Sequence, residues 1–247
     1  MKRTLAVILA LIFVTAAFSA CSINININKP TEDSGTTEAS TEAATEAATE
    51  TAEPTTAPVG TLDDYVKTAK ENTVTYGDGN TNTLRIPEIL IDSADAKAAN
   101  QEIESKFGAA VNSGDSYQGI YSLDYEAYLN GTALSVVVIS KHDGGNTYGL
   151  AYNFDVLTGN KLDNKQICDA AGENYEEELA DLREELEEYY EEKYGAMPGN
   201  DAEREKTYSD DNLRQAVMYL DNDGDIMALV DIYAAVGGGH WVVQLDL

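Results

Sequence analysis

The stretch TLRIPEILIDS, Thr83 to Ser93, is mostly apolar and predicts a strand. Pro87 inside it marks an edge or a bulge, because proline has no N–H to give to a ladder. Ser93 then reads as a helix cap, and Ala96, Ala99, Ile103, Phe107 and Ala110 recur at three- and four-residue steps, one helical face over Ala94 to Val111. Gly108, Asn112 and Gly114 help to end that helix. In GIYSLDYEAYLNG the period changes to two, with Tyr121, Leu123 and Tyr125 on one face and Ser122, Asp124 and Glu126 on the other. Asn130-Gly131 predicts a two-residue hairpin. TALSVVVISKH is apolar at successive positions, the mark of a central strand covered on both faces, and TYGLAYNFDVLTGN returns after a turn at HDGGN. These strands predict an antiparallel meander.

A short helix is expected around Asn164 to Ala170 and a longer one in ENYEEELADLREELEEYYEEKYG. There Asn174 and Glu177 suggest a capping box, and Gly195 a stop. Tyr175, Leu179, Leu182, Leu186, Tyr189 and Tyr190 form an apolar stripe suited to packing across a sheet, opposite a strongly acidic face. AVMYL and IMALVDIYAAV read as strands joined at Asp221–Asp225. Gly237-Gly238-Gly239 then precede His240 and Trp241, either as a bend with Trp241 in the core or as a loop with Trp241 anchoring a partner. The fold class predicted is α+β: an antiparallel β-sheet, meander plus C-terminal hairpin, packed with two to three helices.

The first twenty residues have a different character. Lys2 and Arg3 precede an apolar run from Leu5 to Phe18, and Phe18-Ser19-Ala20-Cys21 resembles a bacterial lipobox. The run is shorter than the roughly 20 apolar residues of a spanning helix, although an uncleaved transmembrane helix is the alternative. Residues 1–20 are thus expected to be a lipoprotein signal peptide, with Cys21 lipidated and first in the mature chain. Residues 21–60 include TEDSGTTEASTEAATEAATETAEPTTAPVG, with no aromatic residue, Lys or Arg, which predicts a disordered Thr/Glu/Ala-rich stalk. Residues 61–247 are left as one extracytoplasmic α+β domain, long enough to bury about 70% of its unfolded surface. The expected location is the outer face of the cell membrane, held there by acyl chains that each add roughly 0.8 kcal/mol per buried CH₂.

The chain has 44 acidic and 16 basic residues, a formal charge of −28, and loss of Lys2 and Arg3 with the signal would leave −30. Such a field repels nucleic acid. It serves either to keep a tethered protein soluble or to attract a basic protein or cell-wall component. With Cys21 acylated, Cys168 has no disulfide partner and reads as a buried small hydrophobe. Asp221-Asn222-Asp223-Gly224-Asp225 starts like an EF-hand loop, but position 6 is Ile226 and position 12 is Ile232, where glycine and a bidentate Glu are needed. It therefore predicts a turn, with no metal.

His142 and His240 are the chain's two histidines, so any histidine-based site must use one of them. His142 with Asp143, and His240 with Trp241, are the candidate ligand-binding residues. No nucleophile elbow, zinc-protease, P-loop or dinucleotide motif occurs, so no catalytic residue and no cofactor is expected. Paired carboxylates acting on a cell-wall glycan are the rival reading.

Three stretches in order, RIPEILIDSADAKAANQEIESKF, YEAYLNGTALSVVVISKHDGGNTYGLAYNFDVLTGNKLDNKQI and YLDNDGDIMALVDIYAAVGGGHWVVQLDL, resemble an extracytoplasmic domain family of anti-sigma-V-type factors and peptidoglycan-deacetylase-associated domains. The resemblance implies an α+β sensing or binding module without catalytic residues. It differs here in carrying a lipid anchor and stalk in place of an anti-sigma segment or a deacetylase domain. The expectation is a membrane-anchored surface lipoprotein that binds an envelope or extracellular ligand, cationic in one reading.

Overall fold

The apolar runs on both faces of the central strands are explained by a sandwich of two sheets between helices. In the computed structural model the described residues are 59–75, 79–113, 119–234 and 239–247. The expected signal peptide, Cys21, the expected stalk up to Pro58, Gly114, Gly237 and Gly238 lie outside them. The order is α1 (Leu62–Tyr65), β1 (Val66–Thr75), β2 (Thr81–Ile89), α2 (Ala94–Ser113), β3 (Ile120–Asn130), β4 (Ala133–His142) and β5 (Thr147–Asp155). Then come α3 (Asn164–Ala171), α4 (Tyr175–Tyr194), α5 (Asp201–Thr207), α6 (Asp210–Gln215), β6 (Val217–Leu220), β7 (Ile226–Ala234) and β8 (Gly239–Asp246). The fold is α+β, as the hydrophobic pattern predicts, with two 20-residue helices and four short ones among the described residues.

The first sheet has the order β1-β2-β3-β4-β5, and β6-β7-β8 form a second. Every neighbouring pair is antiparallel except β2 and β3, which meet in parallel at Leu84 and Leu123. Pro87 does mark a bulge: the register of β1 against β2 slips between Thr68 and Lys70, opposite Pro87. The β3–β4 hairpin turns on Gly131-Thr132, one residue later than the Asn130-Gly131 expected, since Asn130 still pairs with Ala133. Gly131, at φ 58°, supplies the positive φ needed at the first turn position. Asn130 is left to donate from Nδ2 to the Asp221 carbonyl at 2.6 Å.

On β4, Leu134, Val136 and Val138 pack under α2 with Ile103 and Phe107, while Val137 faces Tyr219 and Leu229 of the second sheet. On β7 the alternation repeats. Ala228, Val230 and Ile232 face α4 with Leu182, Leu186 and Tyr190, and Leu229 faces the first sheet. The layers therefore run helix, sheet, sheet, helix. Ser93 Oγ accepts from Ala96 N at 3.1 Å, and the face of α2 read from the sequence is the buried one. Asn174 Oδ1 caps α4 by accepting from Glu176 N and Glu177 N. Gly195 ends that helix as expected, in right-handed conformation at φ −57°. No helix of the described residues is long and apolar enough to cross a membrane.

Candidate functional site

β5 is the last strand of its sheet, with α2 on one side of it and the second sheet on the other. Asp155 N donates outward to Asn160 O at 2.9 Å, and Asn153 O accepts from Leu162 N at 2.9 Å. Backbone direction alternates along a strand, so the N–H and C=O of Ala151 and Gly149 point the same way, off the open edge. Two adjoining hollows, about 460 and 290 Å³, follow this edge and share Gly149, Leu150, Asp231 and Val242 as walls.

Both histidines reach the larger hollow, from different sheets. His142, at the end of β4, lies edge-on to Tyr148 with ring centroids 4.8 Å apart. The hydroxyl of Ser140 lies 3.2 Å from His142 Nε2 and also donates to Tyr148 O at 3.4 Å. Ser140 is fully buried beneath the wall of the larger hollow. His240, exposed on β8, pairs with Tyr233, their rings 5.4 Å apart.

Polar groups close the two sides. On α2, Lys106 Nζ lies 3.0 Å from a Glu102 carboxylate oxygen, and Tyr152 OH donates to Glu102 at 3.1 Å. The Lys106 ammonium, aided by the Tyr152 hydroxyl, holds the Glu102 carboxyl below its ordinary value against the effect of burial. Burial, then the Glu102 charge, pushes the Tyr152 hydroxyl up. Across the cleft, Asp231 accepts from Tyr233 OH at 3.3 Å, and its main-chain carbonyl accepts from Asn212 Nδ2 at 2.8 Å. The walls thus mix Lys106, Lys161 and two histidines with Glu102 and Asp231. In so acidic a chain this is a locally balanced surface.

The other candidate residues separate. Trp241 neighbours His240 in sequence but points to the opposite face of β8. It is 8% exposed, with its ring 5.6 Å from Tyr194 of α4, so it fills the core and does not line the cleft. Asp143 is exposed in the β4–β5 turn, where its N–H donates to Gly119 O at 2.8 Å, and it does not line the cleft either. Cys168 is buried against Met218, Sγ to Sδ 3.7 Å, and burial pushes its thiol up to about 11.

Asp221–Asp225 form the β6–β7 turn, with Gly224 at φ 88°. Asp221 Oδ1 accepts from the N–H groups of Asp223, Gly224 and Asp225 at 2.8, 3.1 and 3.0 Å. The carboxylates of Asp221, Asp223 and Asp225 lie within 4.8 Å of one another, but Ile226 and Ile232, at loop positions 6 and 12, are buried on β7.

Asp231, Gly149, Glu102 and Lys106 are not among the sequence candidates. Asp231 does leave a signal, as a lone acid inside IMALVDIYAAV. No family model matches the chain, and no curated protein matches it.

Proposed function

We propose that the protein is a lipid-anchored, extracytoplasmic binding module that receives an extended polypeptide segment of a basic envelope or extracellular partner along β5. One observation carries the reading: an open strand edge, with Gly149 and Ala151 directed outward, lies in a cleft reached by both histidines. An added strand would satisfy those backbone groups, and side-chain selectivity would come from the hollows. The lipobox-like FSAC supports the anchor, and the resemblance to extracytoplasmic sensing domains supports a module without its own chemistry. The net charge of −28 speeds encounter with a basic partner.

The test is photo-crosslinking from position 240 in the full-length protein, compared with Ala151→Pro. Proline is tolerated on an edge strand where the N–H faces outward, and because Ala151 packs against Val137, Tyr219 and Leu229, circular dichroism first establishes that the variant is folded while lacking the outward donor. The reading requires a crosslinked partner that disappears with Ala151→Pro and never forms from a probe at Glu184. Equal crosslinking in the proline variant contradicts strand addition.

A further inference from the structure

A third hollow, about 340 Å³, lies beyond the other end of the second sheet and is separate from the cleft. Its acidic walls are Glu173 after α3, Glu178 and Asp181 of α4, and Asp225 of the β6–β7 turn, with Ala171, Ile226 and Leu247 as apolar patches. Glu178 is the unusual member. It is 8% exposed, yet no hydrogen bond or ion pair reaches its side chain among the described residues. Its neighbours in charge are Asp181, Glu173 and Glu177, all acids, and burial followed by these charges pushes its carboxyl above the ordinary value. The positive end of α4 offsets part of that penalty without removing it.

The Glu178 carboxylate opens only on the hollow, where other acids and no protein cation surround it, and a cation entering there would offset that charge. A divalent metal fits poorly. Asp221, Asp223 and Asp225 are the acidic group with oxygens within 4.8 Å of one another among the described residues, and it contains none of Glu173, Glu178 and Asp181. A guanidinium favours one coplanar, bidentate carboxylate, whereas an ammonium is a compact charge with three donors for acids converging from several directions. We propose that this hollow binds a primary ammonium group on a short chain, seated against Glu178 and surrounded by Glu173, Asp181 and Asp225.

Binding here does not depend on the cleft along β5. The test titrates the full-length protein in detergent micelles with 1,5-diaminopentane by calorimetry at low ionic strength, with calcium chloride as a parallel arm. Saturable diamine binding should weaken at least tenfold in Glu178→Gln and change little in Asp223→Asn, which removes one acid outside the hollow. Equal affinity in Glu178→Gln, no saturable binding, or calcium binding that alone depends on Glu178 would overturn the proposal. Carboxyl NMR on the unaltered protein gives a second readout: diamine should lower the titration midpoint of Glu178, and an unmoved midpoint refutes the site.

Discussion

At Gly149 an added Cβ would come 2.8 Å from Ile139 Cδ1 and 3.2 Å from Leu229 Cδ1, where β5 passes the second sheet. Both are ends of side chains that can shift, so Gly149→Val should fold but lose about 1–3 kcal/mol in a urea titration, the usual range for overpacking. At Glu178 a substitution should act in the opposite sense. Its folded pKa is raised from 4.5, so the folded state holds the proton more tightly than the unfolded chain. Stability therefore falls as pH rises from below 4.5 through the folded value, and stays lower above it. Glu178→Gln should melt higher than the unaltered protein at pH 7.5, with the gain vanishing below the unfolded pKa; an equal or lower melting temperature at pH 7.5 contradicts this. Residue by residue, legibility is uneven. Glu178 stands four residues before Leu182 and eight before Leu186, so helical spacing already places it on the buried stripe. Strand alternation likewise sends His240 and Trp241 to opposite faces.

The two sheets are joined by a buried polar bridge as well as by apolar contact. Ser135 Oγ donates to Asn153 Oδ1 at 2.9 Å and accepts from Leu220 N at 3.2 Å, while Asn153 Nδ2 donates to Met218 O at 2.8 Å. Asn153→Leu strands these partners and should cost about 1–3 kcal/mol, read by denaturant unfolding. Leu186→Ala, in the α4 layer, should cost about 2–5 kcal/mol. At this scale α2, α4 and the β3–β5 meander are legible in the sequence because their periodicities are clean. β1 is not: VKTAKENTVT is mostly polar, and only Val66 and Val74 are buried. The division into two sheets is also hidden, since a strand apolar on both faces does not reveal whether helix or sheet covers it.

Among the described residues ten Lys or Arg side chains are within ion-pair distance of acids, yet the formal charge of the chain remains −28. Self-repulsion across the molecule is screened within about 8 Å at physiological ionic strength. Raising sodium chloride from low to physiological concentration should therefore raise the melting temperature, and a fall would mean the ion pairs outweigh the repulsion. The open edge of β5 is the centre of the functional reading, and amide hydrogen exchange at Gly149 and Ala151 tests it most directly. In the full-length protein, adding the crosslinked partner should slow exchange at both amides at least tenfold. Unchanged exchange at these positions, with the partner bound elsewhere, would contradict the account.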